Sequence, residues 1–272
     1  MCLLVMAWRA HPRYRLVVAA NRDEFHARPT APMGIWHDLP DILAGRDLSA
    51  QGTWLAVDRQ RRFGIITNYR DLQAGHPEAP SRGGLIPGWL RERSGPAAYL
   101  AHVARDASAY AGFNLLLNDA ESLCYASNRA PEFSTALTPG VYGLSNLLLD
   151  TPWPKLTRVR AKFEQWLAVQ PPVAAPPEAA SETLFALLAD RTRSLPDAPP
   201  GAPPLPAEWT EVLSAPFVVH PTFGTRCSTL VLIGYDGSLI VQERRFDPQG
   251  ATLGQSGWTL APGEWPALNA SP

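Results

Sequence analysis

The stretch that decides the fold is the apolar run Cys2-Leu3-Leu4-Val5-Met6-Ala7-Trp8, followed after the polar segment 9–14 by Leu16-Val17-Val18-Ala19-Ala20 and Asn21-Arg22-Asp23-Glu24. Leu and Val suit a buried sheet, and the proline-containing segment between the runs can reverse the chain. The two runs therefore predict an antiparallel hairpin. If the reversal centres near residues 11 and 12, pairing places Cys2 beside Asn21 or Arg22. The start of the chain then meets its charge cluster.

A cysteine at position 2 has a specific chemical meaning. A small second residue permits removal of Met1, which would make Cys2 the N-terminal residue, with nucleophile and base on one residue. A free α-amine has a pKa of about 7.7 to 8.0, so it can take the thiol proton near neutral pH. An arginine one strand away would lower the pKa of the thiol further. This is the chemistry of N-terminal nucleophile (Ntn) hydrolases, although a small buried hydrophobe at the start of a core strand also fits.

The charge cluster carries a family resemblance. Asn21-Arg22-Asp23-Glu24, preceded by Ala19-Ala20 and followed by Phe25 and Arg28-Pro29, resembles the signature of the NRDE family, the transport and Golgi organisation proteins and their bacterial relatives. Further blocks follow in order over most of the chain: Gly45-Arg46-Asp47-Leu48, residues 52–57, Thr67-Asn68-Tyr69-Arg70, Ser81-Arg82-Gly83, residues 112–116, Leu144-Ser145-Asn146, residues 150–155 and Gly224-Thr225-Arg226.

The family in turn is similar to the cysteine-type Ntn acylases, the group of bile-salt hydrolase, penicillin V acylase and acid ceramidase. That likeness implies an α+β fold, a four-layer αββα sandwich with mainly antiparallel sheets. In the acylases the nucleophile is followed on the next strand by Arg-Asn-x-Asp, whereas here the order is Asn-Arg-Asp-Glu. Two alternatives therefore stay open: Asn21 or Arg22 for the arginine, and Asp23 or Glu24 for the aspartate.

An acyl-transfer site needs a nucleophile, a base, groups that orient them and donors for the oxyanion. The nucleophile and the base would both be Cys2, oriented by the charge cluster. Two asparagines at strand ends supply amide donors, and a late arginine matches one near the acylase nucleophile. The catalytic candidates are thus Cys2, Arg22, Asp23, Glu24, Asn68, Asn146 and Arg226. The family blocks add substrate-binding candidates: Asn21, Arg46, Trp54, Tyr69 and Arg70.

Each candidate also has an ordinary structural interpretation. Asn68 and Asn146 suit turn caps, which asparagine makes through side-chain to backbone hydrogen bonds. Arg22 with Asp23 or Glu24 suits a structural ion pair, and Arg226 suits a charge at the rim of a site. The family match favours the functional interpretation because it brings these residues together with Cys2.

Composition limits the remaining classes. With 272 residues, 46% of them hydrophobic, the chain can bury one large core, and we expect a single domain over residues 1–272. A net charge of −1 gives no basic stripe for nucleic acid. The three cysteines predict neither a disulfide framework nor a zinc site, and we expect no metal and no cofactor. The opening run is too short for a signal sequence, and no run could span a bilayer, so we expect a cytoplasmic protein without membrane insertion.

Periodicity and turn residues predict the remaining elements. Strands are expected at 53–57, 63–68, 113–117, 122–126, 140–145, 217–220, 226–233 and 238–245, and helices at 85–93, 97–107, 155–169 and 181–189, the last capped by Ser181. Residues 25–50 and 71–82 read as loops, and the proline-rich 171–180 and 196–206 as exposed connections.

Together these patterns favour an Ntn-type amidohydrolase that attacks a linear amide, a C–N bond other than a peptide bond, or a thioester of a small acyl substrate. The alternative is a non-catalytic protein of the same fold that binds haem, an acyl-CoA or a lipid, since eukaryotic members of the resembled family are associated with acyl-CoA and lipid metabolism and with haem mobilisation. Nothing around His26 or His220 selects haem. A third interpretation is a catalytically silent scaffold. The sequence predicts a small-molecule acyl or haem-like ligand and no particular protein partner.

Overall fold

The computed structural model describes residues 2–71, 79–169, 177–194, 199 and 201–268. It divides into two compact units: Met1–Ala27, Pro139–Ser145 and Leu149–Thr259 form the first, and Arg28–Thr138, Asn146–Leu148 and Leu260–Pro272 the second.

The strands are β1 Cys2–Trp8, β2 Tyr14–Phe25, β3 Thr30–Trp36, β4 Leu39–Asp47, β5 Leu55–Asp58, β6 Phe63–Asn68, β7 Phe113–Asn118, β8 Leu123–Ser127, β9 Ser134–Ala136, β10 Gly140–Leu144, β11 Phe223–Gly234, β12 Leu239–Phe246 and β13 Thr252–Leu260. The helices are α1 Leu85–Arg91, α2 Pro96–Val103, α3 Pro154–Ala168, α4 Pro177–Leu188 and α5 Ala207–Val212.

The first unit is built on a six-stranded sheet of order β10-β1-β2-β11-β12-β13. Strand β1 pairs antiparallel with β2 and β10, and β11 pairs antiparallel with β2 and β12. Helix α3 packs on β1 and β10, while α4 packs on β2 and β11. Almost all residues of the two central strands, β2 and β11, are buried.

The second unit is built on a seven-stranded antiparallel sheet in chain order, β3-β4-β5-β6-β7-β8-β9. Helix α1 packs on β5 and β6, and α2 on β8 and β9. Their apolar faces meet the sheet in a buried core that includes Trp36, Ile86, Trp89, Leu100 and Phe113. Each unit therefore supplies one antiparallel sheet and helices packed against it, and the predicted α+β class with mainly antiparallel sheets is confirmed.

The opening hairpin is confirmed in both its strands and its register. Cys2 lies directly opposite Arg22, one of its two predicted neighbours, and Leu3 lies opposite Asn21. Arg9 takes a positive φ of 49° at the reversal. Helix α3 also agrees, with Leu156, Val159 and Phe163 buried on one face as their spacing predicts.

The prediction of an irregular loop over residues 25–50 was wrong, because β3 and β4 occupy most of it. Pro32 lies on β3, the edge strand of its sheet, where a missing N–H costs no ladder hydrogen bond. The pairing of β3 with β4 also shifts register twice, which hides the alternation that marks a strand.

Two smaller predictions also fail, and three elements were missed. Ser181 does not cap α4, because the helix begins at Pro177. Residues 217–220 form only an isolated bridge, from Val219 to Gly224. Helix α5 and strands β9 and β13 were not predicted. Of the expected loops and connections, residues 72–78, 171–176, 196–198 and 200 lie outside the described residues.

Within the part of the chain that the structure describes, none of the helices combines the length and the apolar character needed to cross a membrane. Nor do the described residues contain a group of three or more His, Cys, Asp or Glu side chains that could hold a metal ion.

Candidate active site

Cys2 lies in the first unit, at the first position of β1, and is half-buried. Its backbone is fixed on two sides, by the pairing with Arg22 and by the Ser145 hydroxyl, which donates to the Cys2 carbonyl oxygen at 3.1 Å. Burial raises the pKa of the Cys2 thiol and Asp23 adds to the rise, while the positive amino terminus and Arg22 act to lower it. The expected lowering by arginine is thus present but outweighed, so attack by this thiol requires a base.

Arg22 separates two thiols. Cys2 lies opposite it on β1 and Cys227 lies opposite it on β11, so the three residues form one row across adjacent strands. Strands lie about 4.8 Å apart, which puts the two cysteine Cα atoms about 10 Å from each other, too far for a disulfide. Burial and the nearby Glu243 raise the pKa of Cys227 well above its usual value. Cys2 is therefore the more accessible candidate nucleophile of the two.

Asp23 lies almost completely buried, at 2% exposure. It accepts a hydrogen bond of 2.7 Å from the Thr225 hydroxyl, which in turn accepts one of 2.9 Å from the Val218 N–H. Burial raises the pKa of the Asp23 carboxyl, and the positive amino terminus, Lys155, Thr225 and Arg22 all oppose this rise. The carboxyl is therefore held in a buried site surrounded by cations.

The other two members of the charge cluster have different surroundings. Glu24 is partly exposed, lies 3.8 Å from Arg22 and accepts a hydrogen bond from the Phe25 N–H. Asn21 donates to the carbonyl oxygens of Leu188 and Pro216 at 2.9 and 3.0 Å and accepts from Ser228 at 2.6 Å. The bond to Leu188 connects β2 to the end of α4, and the two donated bonds together use both amide hydrogens of Asn21. Contact of Asn21 with a substrate stays a prediction.

Arg226 sits at a β-bulge, where the register between β11 and β2 shifts from Thr225 to Cys227. Its guanidinium donates to the Phe25 carbonyl oxygen at 2.9 Å. Burial and the neighbouring Arg22 lower the pKa of Arg226. A bulge redirects a side chain relative to the regular alternation of a strand, and here it brings a second cation near Arg22.

The second unit brings the two candidate asparagines together. Asn146 is fully buried with φ of 60°, and its Nδ2 donates to both the side-chain and the main-chain oxygen of Asn68, at 2.7 and 3.1 Å. The Asn146 carbonyl accepts from the Arg70 N–H at 2.7 Å. Because the Oδ1 of Asn68 is engaged in this way, its Nδ2 is oriented as a donor. The role of the two asparagines as donors to an oxyanion stays a prediction.

The other substrate-binding candidates also lie in the second unit. The Arg46 guanidinium forms a two-pronged pair with Asp38, at 2.6 and 2.8 Å, and lies over the Trp36 ring. Trp54 is buried, and its ring fills the space beside Gly45. Tyr69 donates its N–H to the Gly112 carbonyl at 2.8 Å. For Arg70, burial lowers the pKa to about 10. Their contact with a substrate stays a prediction.

Sequence reasoning missed Thr225 and Lys155 as parts of this arrangement, although both lie within the family blocks. Thr225 is 202 residues from Asp23, so local pattern gives no signal for their contact. Lys155 did carry a signal: it is the second residue of α3, and a cation is disfavoured at a helix N-terminus.

Comparisons with known proteins agree with the blocks in the sequence. The profile of the Transport and Golgi organisation 2 family matches residues 1–248. The "Transport and Golgi organization 2 homolog" of Mus musculus is 33% identical over 260 residues, covering 90% of this chain and 92% of the mouse protein. The Homo sapiens homolog shows the same identity and coverage. Among solved structures, a Caenorhabditis elegans N-acylethanolamine-hydrolyzing acid amidase ortholog gives a TM-score of 0.39 at 9% identity, covering 85% of this chain and 92% of its own, a likeness too low to bear on function. By profile and by identity, this chain belongs to the Transport and Golgi organisation 2 family.

Proposed function

We propose that the protein is an Ntn-type hydrolase that cleaves a linear amide or a thioester of a small acyl substrate through Cys2 after removal of Met1. The observation that carries the proposal is the direct register of Cys2 with Arg22, beside the buried carboxyl of Asp23. This arrangement combines a thiol, a cation and an anion at the start of a strand. The α-amine of Cys2 would then act as the base that takes the proton of the Cys2 thiol.

In the proposed reaction the α-amine of Cys2 takes the thiol proton as sulfur attacks the carbonyl carbon. A C–S bond forms, and the carbonyl electron pair moves to oxygen, where hydrogen-bond donors would stabilise it. Collapse breaks the C–N bond, and the ammonium proton goes to the leaving amine. Water, deprotonated by the same amine, then hydrolyses the thioester, releasing a carboxylic acid and restoring Cys2.

Within this proposal, Arg22 and Asp23 are the members of the cluster that fill the acylase roles. Arg22 lies directly opposite Cys2, whereas the Asn21 amide donates both its hydrogens to main-chain carbonyl oxygens. Asp23 is nearly inaccessible and carries its charge next to Cys2, whereas Glu24 is partly exposed and pairs with Arg22.

Turnover assays test the proposal directly. The probes are 4-nitroanilides of acetic, butyric and octanoic acids and the matching phenyl thioesters, incubated with protein whose intact mass confirms loss of Met1. We expect Cys2→Ala to abolish release of the leaving group. The matched control, Cys124→Ala, removes a buried thiol of the second unit and should retain wild-type turnover. Equal activity of Cys2→Ala and wild type would contradict the proposal.

One observation favours the alternative of a ligand carrier: the raised pKa of the Cys2 thiol suits a residue that is not a nucleophile. A carrier of haem or acyl-CoA should bind its ligand equally well after Cys2→Ala, with no turnover of any probe. If His26 were to hold haem through its Nε2, that atom would have to give up its 3.0 Å hydrogen bond with the His220 carbonyl oxygen. Equilibrium titration of the wild type and Cys2→Ala with each ligand separates this function from hydrolysis.

A further inference from the structure

Lys155 is a cation in a location that disfavours cations. It is only 3% exposed and occupies the second position of α3, next to the positive end of the helix dipole. Burial of an ammonium is costly unless anions or hydrogen-bond acceptors surround it. The Lys155 Nζ donates to the Leu213 carbonyl oxygen at 2.9 Å. A neutral carbonyl does not balance the charge, so a buried anion is expected near this ammonium.

The first turn of α3 packs on β10, the strand next to β1. Leu156, the next residue, fills the space over Gly143 on β10, where any Cβ would lie 2.9 Å from its side chain. Gly143 pairs with Val5, three residues after Cys2. Val5 in turn pairs with Ala19, which faces the same side of β2 as Asp23, so Lys155 lies on the helix that covers this side of the sheet.

The segment 213–218 connects Lys155 to the Asp23 side of β2. Its first residue, Leu213, accepts from Lys155, and Pro216 accepts from Asn21 at 3.0 Å. Its last residue, Val218, donates to the Thr225 hydroxyl, which donates to Asp23. Because Asn21 and Asp23 alternate onto the same face of β2, one short segment contacts both this face and the lysine. Asp23 is the nearly inaccessible acid on that face.

We propose that Lys155 is a positioning residue that supplies the buried counter-charge of Asp23 and thereby keeps this carboxylate ionised beside the start of the chain. Its relevance to catalysis rests on the proposed function. The amino terminus, Arg22 and Cys2 also act on Asp23. Arg22 occupies the opposite face of β2, whereas Lys155 lies on the helix that covers the face of Asp23.

A thermodynamic cycle tests the pairing without any substrate. Thermal midpoints at pH 7 are measured for the full chain as wild type, Lys155→Met, Asp23→Asn and the double variant. Each single change leaves a buried charge uncompensated, so we expect each to lower the midpoint by about 5 °C or more. The double variant should melt above Lys155→Met. Additive losses in the double variant would overturn the pairing.

A control variant and the folding of the double variant complete the thermodynamic cycle. The matched control is Lys162→Met, which removes an exposed lysine from the same helix and should combine additively with Asp23→Asn. If Lys155→Met does not fold, the double variant decides. Recovery of folding by Asp23→Asn supports the pairing, and failure of both variants contradicts it.

A pH profile tests the link to catalysis. Removal of a cation makes the coupled set of Asp23, Cys2 thiol and α-amine bind protons more tightly. The rate of Cys2 alkylation by iodoacetamide falls at low pH, and this acid limb of the pH profile should therefore move about one pH unit upward in Met1-free Lys155→Met. In Lys162→Met the acid limb should not move. An unchanged limb would overturn the catalytic role. Retention of Met1, or an inert Cys2, would defeat the proposed function and leave the cycle unaffected.

Discussion

At the scale of single residues, neighbours in the chain have separate environments. Side chains alternate along a strand, so Arg22 shares a row with Cys2 and Cys227, while Asp23 faces Thr225 on the other side of β2. One dipeptide thus presents a cation to one face of the sheet and a carboxylate to the other. In the proposed enzyme the first would favour the thiolate and the second would orient the amine.

Asp23→Asn should separate these two roles. We expect the rate of turnover to fall about 100-fold, because a small displacement of the base is enough to cost that much. Alkylation of Cys2 should be unchanged or faster, because the Asp23 charge raises the pKa of the thiol. The two rates are measured on the same Met1-free preparation.

Glu24→Gln is the matched control for that experiment. Glu24 is partly exposed and 3.8 Å from its partner, and such pairs contribute little, so turnover should stay within about 5-fold of wild type. An equal loss in both variants, or slower alkylation in Asp23→Asn, would count against the role given to Asp23.

At the scale of elements, Asp190 ties the end of α4 to α3. It accepts hydrogen bonds from Arg158 at 3.0 Å and Lys162 at 3.1 Å, and its side chain is 8% exposed. Burial raises the pKa of Asp190, but hydrogen bonds from Thr192, Lys162 and Arg158 outweigh it and hold the pKa far below its usual range. The ionised carboxylate therefore stabilises the fold.

Asp190→Asn should lower the thermal midpoint at pH 7 by roughly 3 °C, the equivalent of about 1 kcal/mol. Because the folded pKa is depressed, this stabilisation is complete above the unfolded pKa of about 3.8 and disappears as the pH falls through the folded value. The two midpoints should thus converge below about pH 3.8. Glu211→Gln removes the exposed pair with Arg193 and should change nothing measurable. A difference that persists undiminished at low pH would contradict this assignment.

The connection from β4 to β5 depends on close contact between backbones. A Cβ on Gly52 would lie 2.5 Å from the carbonyl carbon of Gly83, whose oxygen accepts from the Thr53 N–H at 3.0 Å. Gly52→Ala should therefore destabilise the protein by about 2 kcal/mol in urea unfolding. Gly34→Ala, with no atom within 4 Å of the new methyl, should be nearly neutral. Equal effects of the two changes would refute the steric reason.

At the scale of the whole molecule, the parts of the fold that depend on local sequence pattern were predictable. The opening hairpin and its register follow from two apolar runs and one turn, and α3 follows from its apolar spacing. Strands β3 and β4 were missed because proline and register shifts mask alternation. The single domain predicted for residues 1–272 stays a prediction.

The candidate site was also only partly predictable from the sequence. The NRDE tetrapeptide and the two asparagines were identifiable from family blocks, and the structure brings Asn68 and Asn146 into contact. The hydrogen-bond partner of Asp23 could not be identified, because Thr225 is 202 residues away from it in the sequence. The redirection of Arg226 depends on a bulge, which composition and spacing do not encode.

The most direct test of the central claim is a brief treatment of the purified protein at pH 7 with a limiting amount of iodoacetamide, followed by intact mass and peptide mapping. Cys124 and Cys227 are buried, at 2% and 3% exposure. We predict that Met1 is absent and that Cys2 is labelled ahead of both. A retained Met1, or a Cys2 that reacts no faster than the two buried cysteines, would contradict an N-terminal nucleophile.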